Sequence, residues 1–130
     1  MPSEPTWLDA GLVTQINAEL VALTGEPFFV RDSGLLESAL ARPHNHWSYG
    51  DDDMASLATA LLVGIVRNHP FGQGNKRTAL TAAEAFLHAN GWELLVPDRT
   101  AFGDHIVELI TGDLDEGDFA ELLREHSRRR

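Results

Sequence analysis

The stretch His69-Pro70-Phe71-Gly72-Gln73-Gly74-Asn75-Lys76-Arg77 decides how this chain is read. It separates two apolar runs of helical spacing. Before it, Leu57, Ala58, Leu61, Leu62, Ile65 and Val66 predict a central buried helix over about Met54 to Asn68. After it, Ala79, Leu80, Ala83, Phe86 and Leu87 predict a second from about Asn75 to Ala89. A loop that enters a helix N-terminus carries free backbone N–H groups and the positive end of the helix dipole. Gly72 and Gly74 let such a backbone approach a ligand without Cβ clashes, and Lys76 and Arg77 add full charge at the same end. These features predict an anion site, most naturally for phosphate, formed by Gly72, Gln73, Gly74, Asn75, Lys76 and Arg77. His69 is the one group of the stretch able to exchange a proton near neutral pH. Proton transfer beside a bound phosphate is the chemistry these residue types support.

The same stretch resembles the Fic/Doc superfamily, whose pattern H-x-F-x-[D/E]-[G/A]-N-[G/K]-R lies on a loop between two helices. His69, Phe71, Gly74, Asn75, Lys76 and Arg77 match it. Lys76 at the eighth position, followed by Arg77-Thr78-Ala79-Leu80, is similar to the death-on-curing (Doc) branch. Most AMP-transferring members have Gly there and a second Arg three residues after the first, where this chain has Leu80. The resemblance extends to Gly34–Pro43 and Phe86–Gly91 and covers most of the chain.

The resemblance implies a bacterial toxin that transfers phosphate from ATP or another nucleoside triphosphate to a hydroxyl of a cytoplasmic protein, with elongation factor Tu as the implied target. It assigns His69 as the general base and implicates Arg67 in nucleotide binding. It places Phe28–Asp32 in a flap beside the site, where Arg31 is a candidate contact to the target and equally a plain surface charge. It also implies a small antitoxin whose C-terminal segment folds into a groove. The family's acidic residue, which holds Mg2+ against the nucleotide phosphates, is here Gln73, and a neutral amide is a much poorer ligand for a hard cation. Two other classes stay open: a Fic-type AMP transferase, disfavoured by Lys76 and Leu80, and a weakened relative that keeps the fold and its partner, favoured by Gln73.

The whole chain fits this frame. Its 130 residues suit one domain with a single core. It has no cysteine, which excludes disulfides and thiolate metal sites and suits a reducing cytoplasm. The N-terminal residues lack the basic and apolar regions of a secretory signal, and no segment approaches a membrane helix in apolar length. The net charge of −10 disfavours nucleic acid as a direct partner.

Six helices are predicted, an all-α class with a short two-stranded ribbon. Residues 1–6 read as a loose lead-in. Leu12, Val13, Ile16, Leu20 and Leu23 stripe a first helix that ends at Gly25. At least one of Phe28 and Phe29 is expected in the core, and Phe28–Val30 is paired with Trp92–Val96 in the ribbon. A short second helix runs to about Ala41 and closes at Pro43, leaving His44–Tyr49 as a loop packed by Trp47 rather than a metal site. Asp51-Asp52-Asp53 reads as a helix N-cap and first turn. A fifth helix buries Phe102, Ile106, Leu109 and Ile110, and a sixth, capped by Asp115, buries Phe119, Leu122 and Leu123. Arg128-Arg129-Arg130 reads as a solvated tail.

Overall fold

The computed structural model describes residues 3–130, so Met1 and Pro2 of the expected lead-in lie outside the described residues. The element order is α1 (Ala10–Thr24), α2 (Ser33–Ser48), α3 (Met54–Asn68), α4 (Asn75–Ala89), β1 (Trp92–Leu94), α5 (Arg99–Thr111), α6 (Glu116–Glu125) and β2 (Ser127–Arg129). The predicted all-α class with a two-stranded antiparallel ribbon holds.

Helix α3 is the axis of the molecule. Every residue from Leu57 to Val66 is buried, and α2, α4 and α6 pack around it. A helix apolar on all sides has to be surrounded in this way. Its N-terminus is capped by Asp53, whose carboxylate accepts the Ala55 N–H at 3.0 Å. Asp51 accepts from the Asp53 N–H, so the acidic run supplies the expected N-cap but stops short of the first turn, which begins at Met54.

Gly64 fixes how closely α2 approaches α3. A Cβ at Gly64 would stand 2.9 Å from the Ala39 Cα and 3.1 Å from its carbonyl oxygen. Gly64→Ala should therefore lower stability by about 1–3 kcal/mol, the range for overpacking a core. Helix propensity alone predicts the opposite sign, a gain of up to ~1 kcal/mol. A thermal melt of the variant decides between them.

The second helix does not stop at Pro43. It continues to Ser48 with Pro43 buried inside it. The distal turns are held from outside the helix: the His44 ring packs edge-on against Trp7 at 5.2 Å, and the Tyr49 N–H bonds back to Asn45 and His46. These contacts outweigh the one backbone hydrogen bond that proline removes. The end of the lead-in at Thr6 is likewise tied down rather than loose. Asn90 donates to the Thr6 carbonyl at 3.0 Å and accepts its N–H at 2.7 Å, and Trp7 stacks on Phe86.

Helix α1 is rotated relative to the expected stripe. Val13, Asn17 and Val21 are buried, whereas Leu12 and Leu23 are exposed. Asn17 makes hydrogen bonds to α4 and the loop before it, and these set the face that turns inward. In α5, Phe102, Ile106 and Leu109 are buried as expected, but Ile110 is exposed.

The ribbon pairs differently from the expectation. β1 lies antiparallel to β2, with Trp92 opposite Arg129 and Leu94 opposite Ser127. The three terminal arginines are therefore not a free tail. Arg129 stacks over the Trp92 ring at 4.9 Å, Arg128 pairs with Glu93, and the Arg130 N–H bonds the Gly91 carbonyl. Cation–π stacking and cross-strand charge pairing favour this partner over an apolar segment. The segment 28–30 instead makes a single antiparallel bridge, Val30 with Phe71, and both Phe28 and Phe29 are half exposed. Its backbone joins the loop from outside, so neither phenylalanine enters the core.

Candidate active site

The loop between α3 and α4 is built from its two ends. Helix α3 closes at His69, whose backbone is left-handed with φ 49°, the only non-glycine residue of positive φ among the described residues. That turn throws Phe71 inward, where it is 1% exposed, and leaves the imidazole of His69 outside. Gly74 is the N-cap of α4, also left-handed (φ 73°), and supplies no side-chain cap.

Asn75 locks the turn. Its Oδ1 accepts the Phe71 N–H at 3.1 Å and its Nδ2 donates to the Phe71 carbonyl at 2.9 Å. This pairing fixes which way the amide points, and its nitrogen then stands 3.4 Å from His69 Nδ1. The other ring nitrogen, Nε2, has no hydrogen-bond partner among the described residues.

The N–H groups of Gln73, Gly74, Asn75, Lys76 and Arg77 have no acceptor among the described residues; the first such bond in α4 is Thr78 N–H to the Gly74 carbonyl at 2.9 Å. With His69 and Gly72 these residues line a depression of about 280 Å³. Of the predicted residues, the fold brings together His69, Gly72, Gln73, Gly74, Asn75, Lys76 and Arg77. It leaves Arg67 and Arg31 off the lining.

Arg31 is tied to the end of α3. Its guanidinium donates to the carbonyls of His69 (2.7 Å) and Asn68 (2.8 Å), while the Arg31 and Asp32 N–H groups both reach the Pro70 carbonyl. The Gly72 N–H bonds the Phe29 carbonyl at 3.1 Å. The flap is thus stapled to the loop along its length. The Phe29 ring lies directly on Gly72, where a Cβ would come within 2.1 Å of a ring carbon.

Two residues missed by sequence reasoning complete the site. Glu26, just past α1, forms an ion pair with Arg77, and Thr24 Oγ1 accepts from the same guanidinium at 3.2 Å. The Thr24 hydroxyl and Arg77 hold the Glu26 carboxyl below the usual carboxylate range. The pair therefore persists at neutral pH and is lost only as pH falls through that lowered value. Asn17 is the second; its Nδ2 donates to the Gln73 carbonyl at 2.8 Å and lies 3.0 Å from Thr78 Oγ1. A polar residue on the row of Val13 and Val21 was a readable signal for it, whereas nothing in the spacing marked Glu26.

Residues 7–87, which contain α1 to α3, the whole loop and all but the last two residues of α4, match the family described as Fic/DOC. The chain belongs to the Fic/DOC family. Among curated relatives of this Fic/DOC chain, a protein named Toxin Doc from Mycolicibacterium smegmatis is 43% identical over 112 residues, 83% of this chain and 85% of that one. A second, named Protein kinase doc, from Escherichia phage P1, is 32% identical over 94 residues, 72% of this chain and 73% of that one.

The depression does not fit a metal held by the protein. Its lining offers amides, an imidazole and two cations, and no carboxylate. Among the described residues no group of three or more His, Cys, Asp or Glu side chains stands together to hold a metal ion. Gln73 is exposed and presents only a neutral oxygen. An anionic ligand does fit, because unpaired N–H groups at a helix start beside Lys76 favour negative charge. No described helix is long and apolar enough to cross a membrane.

Proposed function

We propose that the chain is a Doc-like toxin of a toxin–antitoxin pair that transfers the terminal phosphate of a nucleoside triphosphate to a hydroxyl of a cytoplasmic protein. The observation that carries this reading is the run of unpartnered N–H groups from Gln73 to Arg77, set beside an exposed imidazole nitrogen of His69. The names and extent of the two relatives support the same class, including its antitoxin partner.

In this reading the phosphates rest on those N–H groups and on Lys76. Arg77 joins them once it exchanges Glu26 for phosphate, while Arg67, off the lining at the end of α3, is left to contacts beyond the depression. His69 accepts the proton of the attacking hydroxyl at Nε2 as the new O–P bond forms and the bond to the leaving diphosphate breaks. Phosphoryl transfer depends mainly on positioning and charge stabilisation, and this loop offers both. Asn75 positions the ring and the flap is pinned to the same loop, so target and base share one frame. Elongation factor Tu remains the target that the resemblance implies.

Two other readings are kept apart by one experiment. Incubation with ATP labelled at the α or the γ position, together with lysate protein as acceptor, separates phosphate transfer (γ label only) from AMP transfer (α label only). Binding without transfer of either label identifies a protein that keeps only its partner, the reading favoured by Gln73. We expect γ label on an acceptor protein, accumulating slowly.

A further inference from the structure

Asn17 is 1% exposed, and its Oδ1 has no hydrogen-bond partner although it is buried. A buried acceptor without a donor opposes folding, so the fold alone is better served by an apolar residue of the same size at this position. What the amide supplies is a donor. Its Nδ2 reaches across from α1 to the carbonyl of Gln73, fifty-six positions away in sequence, and to the Thr78 hydroxyl.

The Gln73 carbonyl belongs to the peptide that leads into Gly74. In a trans peptide the C=O and N–H point in opposite directions, and no peptide bond in the described chain is cis. Drawing the Gln73 oxygen inward onto Asn17 therefore turns the Gly74 N–H outward, on the side of the depression. Without the donor, the Gln73 carbonyl loses the hydrogen bond that draws it inward, and Gly74, which carries no Cβ, tolerates the rotated peptide. A rotated peptide would place a carbonyl oxygen where a phosphate oxygen needs a donor.

We infer that Asn17 is a positioning residue for the anion site: it holds the Gln73–Gly74 peptide with its oxygen buried and its N–H offered to a phosphate. The inference rests on the nucleotide-binding reading above for its ligand, but its structural half stands without one. The side chain acts through the peptide and touches no reacting atom.

The test uses the full chain labelled with 15N, with Asn17→Leu and Thr78→Val as variants. Thr78→Val removes the other partner of the Asn17 amide and leaves the Gln73 contact. ATP titration should give a dissociation constant about tenfold higher in Asn17→Leu, the equivalent of one lost charge-assisted bond. Thr78→Val should stay within about twofold of wild type, whatever it does to the melting temperature. The Gly74 amide should also shift and change its exchange rate in ligand-free Asn17→Leu and not in Thr78→Val. Asn17→Val serves if Asn17→Leu does not fold. Unchanged ATP affinity in the Asn17 variant, or equal weakening in both variants at equal loss of melting temperature, overturns the inference. If wild type binds neither ATP nor inorganic phosphate, the nucleotide reading fails by itself. The Gly74 amide then decides the positioning claim, and an unchanged signal in Asn17→Leu refutes it.

Discussion

Gln73→Asp should transfer phosphate faster than the wild type, by about two to three orders of magnitude, and the gain should depend on magnesium. The depression has cations and N–H groups but no carboxylate, so the protein alone gives a divalent ion no charged oxygen. A hard cation prefers carboxylate oxygens, and a metal fixed against the phosphates contributes several kcal/mol to this class of reaction. Each 1.4 kcal/mol is about a factor of ten in rate. Gln73 is exposed at a loop tip whose backbone is already held through its carbonyl by Asn17, so the substitution should not disturb the fold. ATP affinity should change much less than the rate. Side-by-side transfer assays with magnesium varied check the prediction. A faster wild type would mean that Gln73 serves the reaction as it stands.

His69→Asn should reduce transfer by at least about a hundredfold, the lower end of what a positioned general base contributes. Alanine is a poorer choice for this experiment. His69 sits in the left-handed region, where a Cβ costs roughly 1–2 kcal/mol, and asparagine is one of the few residues that visits it readily. Asparagine thus keeps the turn that buries Phe71 while removing the base. ATP binding should stay close to wild type, since His69 contributes no donor to the run from Gln73 to Arg77. Expression of the variant in a sensitive host should be harmless at levels where wild type is toxic. Equal toxicity would remove His69 from the reaction.

The sequence was most legible where one physical rule acted alone. Helices α3 and α4 were predicted with the bounds they have, because each carries an unbroken apolar pattern and a definite start. Asp115 as an N-cap follows from the same local rule, and the acidic run before α3 ends in the N-cap Asp53. The loop between α3 and α4 was legible as one depression because glycines, cations and a helix start converge within a few residues. Failures arose where distant partners decide. Pro43 stops a helix only if nothing beyond it is held, and Trp7, far off in sequence, holds His44. The inward face of α1 is set by the bonds of Asn17 and not by the count of leucines. The terminal arginines pair because Trp92 and Glu93 are waiting for them, which local composition cannot reveal. The bonds from the exposed Arg31 to two carbonyls at the end of α3 are likewise set by a partner distant in sequence.

The left-handed backbone at His69 also sets a direction for neutral drift. Left to mutation and to selection for folding alone, such a position moves toward glycine or asparagine, which hold the turn at lower energy. An imidazole there is a standing load on the fold, renewed each generation only while some use keeps it. A chain that had exchanged chemistry for mere partner binding would be under no such pressure and would shed this histidine early. A glycine or asparagine at position 69 of a relative would keep the turn at lower energy and lack the base, and so would mark a chain that binds without transfer.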